Sequence, residues 1–169
     1  MQLDQSGDLS LTVPISRWLE YPGGESITVE MLLGHTSGLP DFSELPEHCR
    51  THTPHQSIAL AATATPLFQP GTAWSYCNTN YIMLGVIAEK VTGTSWSQEI
   101  QSRFIERLGL EDTSIWVGSA LPNTVPGSRL KCGMKGEPDC VKKPGFRIVP
   151  VTDGSDWKVA WSAGAMVST

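Results

Sequence analysis

The chain has 169 residues, 40% of them apolar, enough for one compact domain or one lobe of a larger one. A formal net charge of −5 and a pI near 5.3 give no basic field for phosphate backbones or anionic lipid, so a nucleic-acid partner is not expected. The longest apolar run, Tyr81 to Ala88, falls well short of the roughly 20 residues that span a bilayer, so no membrane-spanning segment is expected.

The opening residues Met1 to Gly7 carry no basic region, apolar core or small-residue cleavage site, so they are not a signal peptide. They read as the last turn of a helix, with Leu3 facing a core and Gly7 as the stop, which suggests an excised start. Thr28 is placed to cap a short helix through Leu33, with Glu30 in the first turn where the helix dipole favours an acid. That helix should end at Gly34-His35-Thr36-Ser37-Gly38. Leu39 to Pro54, rich in proline and polar residues, predicts a surface loop, and the Ala-rich Gln56 to Ala64 predicts a helix. After a second loop at Phe68-Gln69-Pro70-Gly71, the segment Asn80 to Val91 is apolar almost all round and should be the central buried helix.

Beyond Gly93, Ser95-x-x-Gln98 is a capping-box pattern. Ile100, Phe104, Ile105 and Leu108 then form one apolar stripe of an amphipathic helix that stops at Gly109. From Glu111 the pattern changes to short β-type runs, Ser114 to Val117 and Phe146 to Val149, separated by Gly- and Pro-rich stretches. The final run, Ser162 to Thr169, has no terminus signal and also looks cut. The expected class is mainly α with short β segments: a helical lobe over roughly 1–112, then a β- and loop-rich connection over 113–169, together one partial domain.

The four cysteines, 49, 77, 132 and 140, make no Cys-x-x-Cys pair and so fit neither a zinc ribbon nor a redox motif. Cys132 and Cys140 flank a turn-rich stretch and could close a small disulfide loop, whereas Cys49 and Cys77 read as unpaired. His48, Cys49, His52 and His55 lie at short spacings that can suit zinc. Pro54 interrupts any helix that would align them, so no metal is expected, and the sequence implies no cofactor.

Two longer patterns carry more information. Ile27-Thr28-Val29-Glu30-Met31-Leu32-Leu33-Gly34-His35-Thr36-Ser37-Gly38-Leu39-Pro40 is followed, in order and in register, by Phe68-x-Pro70-Gly71 and by Tyr76-x-Asn78-x-Asn80-Tyr81-x-x-Leu84-Gly85. The chain thus resembles the penicillin-binding-protein and class C β-lactamase superfamily, and its phrasing is nearer to DD-peptidases and D-specific peptidases than to true class C β-lactamases. The resemblance implies the helical lobe of the α/β β-lactamase and transpeptidase fold. It also implies a small-molecule or peptide substrate in the full-length protein, such as a D-alanyl-D-alanine peptide, a β-lactam or an ester, and a periplasmic or secreted location.

In that superfamily a Ser-x-x-Lys serine attacks the carbonyl carbon, a tyrosine and the lysine exchange its proton, and an asparagine orients substrate and lysine. Tyr76 and Asn78 are the matching positions. A tyrosine can act as a base only if cationic neighbours depress its pKa from about 10. His35, Thr36, Ser37 and Gly38 match a structural turn, with side-chain hydrogen bonds holding its backbone. Trp161, Ser162 and Gly164 fall in a run similar to the family's segment near the substrate cleft, where Trp161 either walls the pocket or packs in a core.

Ser128-x-x-Lys131 and Ser155-x-x-Lys158 fit the bare nucleophile pattern but follow Tyr76, against the family order, and neither opens an apolar helix. The nucleophile is therefore expected upstream of Met1, and the Lys-Thr-Gly strand beyond Thr169. The alternative from another class is a non-catalytic binding or interaction module of the same fold.

Overall fold

The structure, a computed structural model, describes residues 1–47 and 53–115, together with the backbone of strands at 127–131, 147–151 and 166–168. Helix α1 (Gln2–Gln5) is the short terminal turn expected from the sequence. Gly7, at φ +81, lets the Asp8 and Leu9 amides turn back onto the Leu3 carbonyl. The chain then runs alongside itself: the Ile15 amide donates to Ile27, Val29 to Val13 and Glu30 to Leu11.

Helix α2 (Val29–Leu33) begins where Thr28 accepts from the Met31 amide at 3.3 Å, as its capping position demands. Helix α3 (Pro54–Ala61) begins with a capping box between Thr53 and Gln56. Pro54 occupies its first turn, where its missing N–H costs nothing, so this proline starts a helix rather than interrupting one. Helix α4 (Asn78–Thr92) is the central element; it packs on α2 and α3 and ends at Gly93 in the left-handed conformation. Ile82, Met83, Val86 and Ile87 along it are essentially inaccessible and meet Ile15, Leu32, Leu39, Phe42 and Ile58 in the core.

Two expectations need correction in this region. Leu39 to Phe42, assigned to a surface loop, is buried. Leu39 and Phe42 are apolar enough to enter the core, and polar groups between them find partners on α4, so burial leaves no side-chain polar atom there unpaired. The long amphipathic helix after Ser95 is also different. Its capping box forms, but α5 (Trp96–Ile100) passes into a π-helical turn (Gln101–Glu106). Widening the repeat rotates the stripe: Ile105 is buried, whereas Phe104 and Leu108 are 37% and 63% exposed.

Among the described residues four strands follow, β1 (Thr113–Ile115), β2 (Gly127–Lys131), β3 (Arg147–Val151) and β4 (Met166–Ser168). β1 pairs antiparallel with β4, and β2 with β3. β1 and β3 were expected from their β-branched residues; β2 and β4 were not. Gly127-Ser-Arg-Leu-Lys has little strand propensity of its own, and its extended backbone comes from pairing with the Val- and Ile-rich β3. Ser128 and Lys131 therefore lie about 10 Å apart along a strand, at a rise of roughly 3.3 Å per residue, instead of one helical turn apart.

Candidate active site

The site is built where the turn after α2 meets the first turn of α4. Gly34 ends α2, and His35 takes a left-handed backbone at φ 57, a region that histidine enters more readily than most side chains. Gly38 at φ +73 passes so close to the chain that an added Cβ would lie 2.2 Å from the Phe68 carbonyl oxygen. Backbone hydrogen bonds then tie this turn to the second loop: Leu67 donates to Gly38, Gly71 to Thr36 and Ser75 to His35. Phe68 to Gly71 is thereby held against the turn, which accounts for the two motifs lying so far apart in sequence and acting together.

Side chains complete the joint. Ser37, 2% exposed, donates to Asn80 Oδ1 at 2.7 Å and accepts from the Leu39 amide. Thr79 donates to the Pro40 carbonyl at 2.7 Å and accepts from the Phe42 amide at 2.9 Å. The Cys77 amide donates to His35 Nδ1 at 3.2 Å, so this nitrogen is the acceptor and the neutral ring carries its proton on Nε2. Among the described residues no buried side-chain polar atom lacks a partner. His35, Ser37 and Gly38 thus form a turn braced by hydrogen bonds, with Thr36 contributing its backbone carbonyl.

Tyr76 and Asn78 stand on this joint. The Tyr76 hydroxyl donates to Asn78 Oδ1 at 3.0 Å, and its ring leans on the His35 imidazole with centroids 4.7 Å apart. Tyr81 stacks on the same imidazole at 5.2 Å and Trp74 meets it edge-on at 6.2 Å. Tyr76 remains 57% exposed and Trp74 66%, so the cluster is anchored on one side and open on the other. Between them, Cys77 points inward; burial pushes its thiol pKa up, and it is a free buried cysteine, as its apolar setting suggested.

Sequence reasoning missed Asp41. Its carboxylate accepts from the Asn78 amide at 2.9 Å, from Asn78 Nδ2 at 2.8 Å, and from the amide and hydroxyl of Ser43 at 2.9 and 2.8 Å. It therefore serves as the cap that α4 lacks from its own sequence, placing an anion at the positive end of a 15-residue helix. The local signal was Asp-x-Ser, a pattern that closes a turn on itself. Nothing local pointed to α4. Cys132, Cys140, Trp161, Ser162, Gly164 and the Ser155-to-Lys158 match lie outside the described residues, as do His48, Cys49 and His52; His55 is in the first turn of α3.

A family model described as Beta-lactamase matches residues 1–168. The chain belongs to this family. Penicillin-binding protein 4 of Amycolatopsis lactamdurans is 29% identical over 99% of the chain and 45% of its own length. Among solved structures, a D-stereospecific amidohydrolase from Streptomyces sp. superposes with a TM-score of 0.79 at 28% identity, covering 99% of the chain and 52% of that protein. The D-amino acid amidase of Ochrobactrum anthropi SV3, complexed with L-phenylalanine amide, gives 0.76 at 28% identity over 99% and 49%. The fold is thus the β-lactamase and transpeptidase-like fold, and the chain is a largely helical part of it, spanning about half the length of these relatives. Among the described residues no helix is long and apolar enough to cross a membrane.

Proposed function

We propose that the chain supplies the Tyr76 and Asn78 half of a serine acyl-transfer site, acting through an acyl-enzyme on D-configured peptides or amides, β-lactams or esters. The observation that carries this reading is the exposed Tyr76 hydroxyl, 3.0 Å from Asn78 Oδ1, on a joint whose buried side-chain polar atoms are all paired. A proton-transfer group needs such support: fixed from behind and open in front. Membership of the beta-lactamase family and likeness to D-specific amidohydrolases support the choice of substrate class. The names of the relatives, bacterial penicillin-binding proteins, support action in the periplasm or outside the cell.

The reaction divides into attack by a serine hydroxyl on the carbonyl carbon and release of the acyl group to water or an amine. Tyr76 would take the serine proton and return one to the leaving group. A cation beside it is required, because a phenol near its ordinary pKa of about 10 is too weakly ionised at neutral pH to serve as a base. The Ser128 and Lys131 pair does not supply the serine and that cation, being spread along β2.

Intact-mass analysis with labelled penicillin and with a fluorophosphonate tests the reading. The 169-residue chain should form no adduct, whereas the protein extended upstream of Met1 to include a Ser-x-x-Lys segment and beyond Thr169 to include the Lys-Thr-Gly strand should gain one label on that serine. An adduct at Ser128 or Ser155, or no adduct on the extended protein, would overturn it.

A further inference from the structure

The contacts of Asn78 determine which end of its amide faces Tyr76. Ser43 commits its hydroxyl proton to Asp41 Oδ1 at 2.8 Å, so toward Asn78 it offers only a lone pair, 3.3 Å away. Asp41 Oδ2 is likewise an acceptor and lies 2.8 Å from the same atom of Asn78. An amide atom flanked by two acceptors has to be the NH2 group; turned over, its oxygen would face a carboxylate oxygen at contact distance. The carbonyl oxygen, Oδ1, is then the end directed at the Tyr76 hydroxyl, which donates to it.

We propose that Asp41, with Ser43, is a positioning residue that locks the Asn78 side chain with its carbonyl toward the open side of the site. Asn78 is thereby an acceptor on that side. The groups it can orient are donors: the Tyr76 hydroxyl, an ammonium, or the N–H of an amide substrate. This deepens the reading of Tyr76 and Asn78 as the reacting pair and rests on it. The lock itself is a property of the folded chain and is visible without turnover.

The test is side-chain NMR of the chain, so its failure is distinct from failure to acylate. In the wild type, the Asn78 side-chain NH2 protons should show stronger nuclear Overhauser effects to the Ser43 β protons than to the Tyr76 ring. They should also exchange slowly with solvent. Asp41→Ala removes the carboxylate and frees the Ser43 hydroxyl proton to donate toward Asn78, so the preference should be lost and the two effects should become comparable. Ser43→Ala, which leaves the stronger Asp41 contact, should keep the wild-type order and only quicken exchange. A wild-type spectrum in which the NH2 protons lie nearer the Tyr76 ring would overturn the proposal, whatever the variants do. An unchanged order in folded Asp41→Ala would overturn it too.

Discussion

The two ends of α4 close the same core in opposite ways. At its first turn, residues 77–80 are bound to the 35–43 turn by hydrogen bonds that leave every described buried polar side-chain atom paired. Farther along, Leu84 and Ala88 line an open groove of about 660 Å³ with Leu3 and Leu33, and across from them stand Trp96, Ile100 and Phe104. That wall is almost entirely apolar and lies beside the π-helical turn, where Leu108 is left exposed. The first region is fixed by directional contacts, each with few alternatives. The second relies chiefly on area, the Trp96 amide's bond to Glu89 apart, and apolar contact has no preferred direction. Directional order is therefore concentrated at the first turn, and substitutions should expose the difference.

The largest effect is expected for Gly38→Ala. A left-handed backbone costs a residue with a Cβ about 1–2 kcal/mol, and here the methyl also collides with the Phe68 carbonyl. A drop in the denaturation midpoint large enough to unfold much of the chain at 37 °C is expected; a near-neutral result would show that the turn and the second loop separate easily. Asn80→Ala leaves the Ser37 hydroxyl buried without its 2.7 Å partner, and an orphaned buried polar group costs about 1–3 kcal/mol. Urea titration should find a loss in that range. A loss near zero would mean that water replaces the asparagine.

Tyr21 gives a pH-dependent prediction. Burial pushes its pKa up to about 12, with the nearby Cys77 thiol adding to the shift. The folded chain then holds a proton that the unfolded chain has already released, so stability is complete below about pH 10 and declines as pH rises toward 12. Tyr21→Phe should shallow that decline, as read by thermal melts between pH 8 and 11. An equally steep decline would assign it to other groups. The smallest effect is expected just after the π-helical turn: Leu108→Ser should change stability by no more than about 0.5 kcal/mol, because the side chain is 63% exposed. A larger loss would mean that the surface beside the π-helical turn is covered in solution.

The same contrast explains what could be read from the sequence. Elements with their own punctuation were legible: Thr28 before α2, Gly93 after α4, and the Ser95 and Gln98 box. Tyr76 and Asn78 were singled out through family patterning, and the structure places His35 through Gly38 in a hydrogen-bonded turn. Asp41 was not legible, because its partners are 37 residues away and its neighbours look like loop. The π-helical turn left no mark in a stripe that fits an ordinary helix, since Ile100, Phe104 and Leu108 keep its spacing. β2 was hidden for a related reason, since its partner strand supplies the propensity it lacks.

The most direct test of the reading of Tyr76 is the acylation rate of the extended protein carrying Tyr76→Phe, measured with labelled penicillin beside the unsubstituted protein. The ring and its contact with His35 survive the change, and the residue is mostly exposed, so the melting temperature should not move. Acylation should slow by about 10²–10⁴-fold, the usual worth of a positioned proton-transfer group. Acylation at the unsubstituted rate in the folded variant would contradict the role assigned to this tyrosine.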